Sequence, residues 1–179
     1  VFQGVSFAAL LKDTSRRFRN YVFGEHNWHD YEAYERSVRT RDYLYIQNQR
    51  TQFTNEGPID ANQSPSAQGL KRAAINGSIS AFQNEIFITP RPSEEFFDNH
   101  TDPQQGHNLI GSRNIANELD TLRKVLKRWQ LETGDSSPKQ LTTDWYKRTD
   151  GTPLPVKGKR GEMPGSSTGA VNSNAKGPF

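Results

Sequence analysis

The sequence predicts an α+β fold, a small antiparallel sheet of about four strands packed on one long C-terminal helix. Three observations carry this. Ile115, Leu119, Leu122, Leu126 and Trp129 recur at steps of three and four, one apolar stripe of a helix over 114–133. Residues 37–46 alternate apolar and polar around a charged centre, the pattern of two strands meeting at a tight turn near 40–42. Two further runs, at 20–24 and 94–98, are β-branched or aromatic and bounded by turn residues.

The helix is the clearest element. Arg123, Lys124, Lys127 and Arg128 load its later turns, where the dipole favours cations, and Gly134 stops it. The hairpin places strands at 36–40 and 43–48, with Val38, Leu44 and Ile46 facing a core. Between Phe23 and the hairpin, Glu25-His26-Asn27-Trp28-His29-Asp30 reads as a polar, aromatic loop. Proline and asparagine make 50–84 a long loop holding a short helix around 67–74. Asp102-Pro103 marks the turn after the fourth strand. Residues 150–179 carry six Gly and four Pro with little apolar periodicity, so they form an extended tail lying on another surface or disordered.

Composition bounds the function. The chain has 179 residues, 32% hydrophobic, 24% charged and a net charge of +3. That charge is too small for a dedicated nucleic-acid binder. No run reaches the roughly 20 apolar residues of a membrane span. Cysteine is absent, which excludes disulfides, thiolate metal sites and a cysteine nucleophile within the chain. The modest core and the start at Val1, without Met or leader pattern, read as a piece of something larger.

Several stretches together resemble one family. Gly4-Val5-Ser6-Phe7, continuing to Leu10-Leu11, is similar to the G-x-S-F-x-x-L-L segment closing the catalytic domain of formylglycine-dependent (type I) sulfatases. Val38 to Ile46 resembles their V-R-T-x-x-Y-K-Y-I hairpin, with Leu44 where Lys is usual. Glu94-Glu95-Phe96-Phe97-Asp98, Asp102-Pro103 and His107-Asn108-Leu109 resemble the element before their last helix. The ending Trp129-Gln130-Leu131-Glu132-Thr133-Gly134-Asp135 resembles W-x-x-E-T-x-D of the heparan N-sulfatase (sulfamidase) branch, to which the loop 25–30 also points. Order and spacing make the resemblance strong over roughly residues 4–149, and the tail around 160–165 looks bacterial.

The resemblance implies the C-terminal subdomain of an alkaline-phosphatase-like sulfatase fold: residues 1–19 ending the catalytic domain, 20–149 the subdomain, 150–179 the tail. It implies a hydrolase removing ester or sulfamate sulfate from a sulfated polysaccharide, heparan-type N-sulfoglucosamine first and an algal O-sulfated glycan second. It also implies a periplasmic or secreted protein. The family's nucleophile is a formylglycine within C/S-x-P-x-R, assisted by a calcium ion. Ser136-Ser137-Pro138-Lys139-Gln140 lacks the Arg, and no early Asp pair is present, so formylglycine and Ca2+ are expected in an upstream segment and none is bound by this chain alone. No catalytic nucleophile or metal ligand is assigned in these residues.

What remains is the rim of the pocket: Glu25, His26, Asn27, His29 and Asp30. By the resemblance, His26 and His29 contact substrate or leaving group, and Glu25 or Asp30 binds sugar hydroxyls. The structural alternative is a hydrogen-bonded pair fixing the loop to the upstream domain. Arg39 and Arg41 are read as interface ion pairs ahead of sulfate binders. Trp129 is read as core and Lys124, Lys127 and Arg128 as a solvated face, while the sequons at Asn76 and Asn99 are set aside. The expected partners are an upstream catalytic domain and a sulfated saccharide, with neither nucleic acid nor membrane. The rival from another class is a free-standing carbohydrate-binding or scaffold module.

Overall fold

A computed structural model describes residues 6–29, 31–55 and 57–135. Four strands, β1 (Val22–His29), β2 (Tyr31–Arg39), β3 (Tyr43–Asn48) and β4 (Glu94–Asp98), form one sheet in chain order. Every neighbouring pair is antiparallel. Helices α1 (Ile59–Gln63), α2 (Pro65–Ile75) and α3 (Ala81–Asn84) lie in the excursion between β3 and β4, and α4 (Ala116–Thr133) follows the sheet. The α+β architecture is as the sequence predicts.

The core forms where the apolar stripe of α4 meets one face of the sheet. Val38, Tyr45 and Phe96 pack with Ile115, Leu119, Leu122 and Leu126, removing contiguous apolar surface from water. Trp129 extends this seam, stacking on Phe23 at 5.0 Å between ring centroids. A polar tie lies beside it. Arg123 donates to both oxygens of Glu94, through Nε at 2.7 Å and Nη2 at 2.5 Å, and the Tyr45 hydroxyl donates to the same carboxylate. Hydrogen bonding by Arg123 holds the Glu94 carboxyl below its ordinary range, against the opposing effect of burial.

Local chemistry fixes the ends. Ser64 accepts from the Ala67 amide to cap α2, whose first residue is Pro65. Ser80 and Gln83 form a reciprocal capping box on α3. Gly134 takes the left-handed conformation (φ 66°) that ends α4, and the chain turns back at Asp135. On the outer edge of β4, Asn108 mimics a strand residue. Its Oδ1 accepts from Phe96 N at 3.0 Å and its Nδ2 donates to Glu94 O at 3.1 Å, while Leu109 N donates to Phe96 O.

Three expectations change. Residues 25–29 belong to β1 and β2 starts at Tyr31, so the expected loop is mostly strand. Its polar side chains are tolerated because the opposing strand supplies charged partners. Val38 shares the α4 face with its cross-strand partner Tyr45, whereas Leu44 pairs with Phe97 on the reverse face; successive strand residues point to opposite sides. That reverse face has cover from this chain, since Leu44 and Phe97 are buried. Finally, the excursion holds three helices rather than one. α4 itself starts at Ala116, after a 3-10 turn at Arg113–Ile115. The tail at 150–179 and the serine motif at 136–140 lie outside the described residues.

Candidate functional site

Of the expected rim residues, Glu25, His26, Asn27 and His29 lie on β1, and the side chains of Glu25 and His26 are not brought together. Glu25 opposes Arg36 and His26 opposes Glu35, so adjacent residues of β1 present their side chains on opposite faces. The register then shifts: Trp28 opposes Glu32, so Ala33 and Tyr34 together face Asn27. This is a β-bulge on β2, with Tyr34 at φ 46°. A left-handed conformation is uncommon for an aromatic residue and persists only where the surroundings impose it. The imposing contacts are local: Tyr34 O accepts from Gln49 N, and the Tyr34 ring lies 4.3 Å from the Arg36 guanidinium carbon.

Toward α4 the site is a structural clasp. The Arg36 side chain is fully buried, and it donates from Nε at 2.7 Å and Nη2 at 2.8 Å to the two oxygens of Asp135. Nη1 donates to Glu35 O at 2.8 Å, and Glu25 lies 3.9 Å away. Burial works against the Arg36 charge, but the hydrogen bonds and charge of Asp135, with smaller help from Tyr34 and Glu25, outweigh it and raise its pKa. Glu25 is thus a half-exposed neighbour of a buried ion pair, and its sugar-binding role has no support from a shared pocket with His26.

The reverse face carries the arrangement with chemical reach. His26 Nδ1 lies 3.1 Å from Glu35 Oε2, and Arg91 Nη1 lies 2.5 Å from Glu35 Oε1. Arg91 also approaches Glu95 at 3.8 Å, and Glu95 accepts from Asn48 Nδ2. The Arg91 and Glu35 side chains are 9% and 17% exposed, against 49% for His26. A histidine therefore stands at the open end of a row of charges otherwise sealed from water. An ionised carboxylate only accepts hydrogen bonds, so Glu35 fixes the His26 proton on Nδ1 and leaves Nε2 for a ligand. Burial pushes the Glu35 pKa up, but hydrogen bonding by His26 and the charge and hydrogen bond of Arg91 prevail and lower it.

That sign gives a pH dependence. A carboxyl held below its ordinary 4.5 adds stability that is fully present above that value. The contribution is lost as pH falls through the depressed folded value. The urea midpoint is therefore expected to fall between pH 5 and lower pH more steeply in the parent than in Glu35→Gln. Equal slopes would remove Glu35 from the acid-sensitive set.

The Asn27 Oδ1 is buried without a hydrogen-bond partner among the described residues. The side chain of His29 and all of Asp30 lie outside the described residues. Arg39 and Arg41 have no carboxylate partner among the described residues, so the interface pairs expected for them are not made within this part of the chain. Lys124 and Arg128 are exposed and pair along α4 with Asp120 and Glu132. Among the described residues, no three His, Asp or Glu side chains gather where they would hold a metal ion. No described helix is long and apolar enough to cross a membrane. Glu35, Arg36, Arg91 and Asp135 were not singled out by sequence reasoning; only Asp135 carried a signal, as the last residue of the E-T-G-D ending.

The chain is 32% identical over 137 residues, 75% of its length, to an ulvan-active sulfatase of Formosa agariphila, of which it spans 22%. Among solved structures it resembles a 2-O GAG sulfatase at 16% identity, covering 72% of this chain and 20% of that one, with a TM-score of 0.42. A second structure, in complex with its substrate D-glucosamine-2-N,6-O-disulfate, matches at 17% identity, 72% and 19% coverage and a TM-score of 0.42. No family model matches the chain. The relatives are sulfatases, and the chain spans about a fifth of the length of the curated relative it matches.

Proposed function

We propose that this chain is the C-terminal part of a periplasmic or secreted sulfatase that cleaves sulfate groups from a sulfated polysaccharide, and that it supplies part of the pocket rim through His26. The observation that carries the reading is the half-exposed imidazole aimed outward by a carboxylate that is itself fixed by Arg91. The identity to an ulvan-active sulfatase over three quarters of the chain supports the reaction class.

Cleaving an S–O or S–N bond leaves an alkoxide or amine that must gain a proton. A charged His26 donates it from Nε2, and the neutral ring accepts a sugar hydroxyl at the same atom. Glu35 holds the ring through Nδ1 and so opposes rotation that would turn Nε2 away. In the family it resembles, a formylglycine supplies the nucleophile and calcium neutralises sulfate charge. The chain has no Cys, and its described residues offer no metal cluster. No step through either group is assigned to this chain, and we place both in an upstream catalytic domain.

The identity to an ulvan-active enzyme favours an O-sulfate ester on an algal glycan. Heparan-type N-sulfoglucosamine is the second reading, favoured by the Trp129–Asp135 ending and the residues at 25–30. Sulfate release by the intact protein from ulvan and from heparan sulfate decides between them. Release from ulvan alone supports the first, and release of N-sulfate from heparan the second. Silence on both, and on other sulfated glycans, would overturn the proposal. The 179-residue chain by itself is expected to release none, because the nucleophile lies elsewhere.

A further inference from the structure

At the end of the sheet away from His26, a groove of about 560 Å³ opens between residues 14–20 and the β2–β3 turn. Its wall holds four guanidiniums, those of Arg16, Arg17, Arg19 and Arg41, and a single carboxylate, that of Asp42. Hydroxyl and amide side chains complete it. In a chain with a net charge of only +3, this is a local concentration of positive charge.

Much of the nearby negative charge is engaged. Asp13 accepts from the amide and hydroxyl of Ser15, at 3.0 and 2.6 Å, and lies 3.9 Å from Arg16. Arg17 and Arg41 are exposed and have neither ion pair nor hydrogen bond among the described residues. The turn bearing Arg41 is rigid. Thr40 Oγ1 accepts from Asp42 N and Tyr43 N, Thr40 N donates to Tyr43 O, and Asn99 N donates to Asp42 O. Thus Arg41 is held on a fixed support beside a groove that already repels cations.

We infer that this groove is a second saccharide subsite, binding an anionic sugar unit through Arg17 and Arg41 while another part of the same glycan reaches His26. The guanidinium fork matches the paired oxygens of sulfate or carboxylate, and the surrounding hydroxyl and amide groups match sugar hydroxyls. Glu35, opposite His26, and Thr40, one residue past the end of β2, lie five positions apart, roughly 16 Å at the rise of a strand. That separation exceeds one sugar ring, so the site distinguishes a polymer from a monosaccharide. The inference rests on the sulfatase reading for its ligand class.

The test uses the intact protein, calorimetric titration and three probes: a sulfated ulvan oligosaccharide, its desulfated counterpart and inorganic sulfate. The double variant Arg17→Gln, Arg41→Gln is expected to bind the sulfated oligosaccharide about tenfold more weakly or worse. Its Kd should also depend less on salt. Turnover of a sulfated monosaccharide should be unchanged, since it does not reach the groove. A deficit that persists with the desulfated probe identifies uronate carboxylates as the bound groups; a deficit confined to the sulfated probe identifies sulfates. Lys124→Gln with Lys127→Gln removes the same charge from α4 and should leave Kd unaltered. An unchanged Kd in the arginine variant overturns the inference, with or without a lowered melting temperature. So does an equal loss in the lysine variant, or full competition by inorganic sulfate alone. Absence of any sulfate release would sink the sulfatase reading separately, because binding is measured without turnover.

Discussion

Replacing Arg36 by Met is expected to destabilise the protein by about 3–5 kcal/mol, the scale for breaking one partner out of a buried ion pair. The Asp135 carboxylate, only 5% exposed, would lose both guanidinium bonds and remain in a site that water does not reach. The attraction between the two groups is not the source of this cost. Bringing both charges out of water offsets most of it, so the penalty arises from the orphaned carboxylate. The double variant Arg36→Met, Asp135→Leu should therefore recover most of the loss, and Arg36→Lys should fall between, keeping charge without the fork. Denaturant midpoints of the three variants measure this. A single variant within about 1 kcal/mol of the parent would mean that Asp135 finds water or another partner.

Replacing His26 by Ala in the intact protein should lower turnover by on the order of 10²-fold or more, the usual contribution of an acid–base group. Stability should change little, because half of the side chain is already in water. Replacing Glu35 by Gln should act through His26. The amide no longer forms the ion pair with Arg91 that fixes it against Nδ1, so the ring is less well positioned and turnover should fall. In a His26→Ala background the same change should have no further effect on turnover. Normal turnover in His26→Ala with a lowered melting temperature would make the imidazole a clasp between strands. Sulfate-release kinetics and thermal melts on the two single variants and their combination separate the outcomes.

Legibility in the sequence followed the range of the interactions. The α4 stripe is local, repeating within the helix itself, and it fixed the element that became half of the core. The hairpin turn was also local, because Thr40 satisfies the turn within three residues. The polar run at 25–30 was misread because its strand character depends on distant partners. Glu25 and His26 are held in β1 opposite Arg36 and Glu35, and the charges of that row are closed by Arg91 and Asp135. Asp135 lies 99 positions from Arg36, and Arg91 is likewise far along the chain from Glu35, so no local window contains the closing partners. The bulge at Ala33–Tyr34 also breaks the alternation by which a strand is recognised. The side assigned to Leu44 went wrong for a simpler reason. Val38 and Leu44 flank a turn whose register puts Arg39, not Val38, opposite Leu44.

Asn108 has a consequence beyond geometry. β4 is an edge strand, and an edge presents a row of backbone groups that can pair with another chain. The backbone groups of Glu94 and Phe96 that would template such growth are already occupied by the Asn108 side chain and the Leu109 amide. The Asn108 side chain and the Leu109 amide thus end the sheet by imitating its next strand. They give this side of the molecule a barrier to strand addition beyond the charge of Glu94, Glu95 and Asp98.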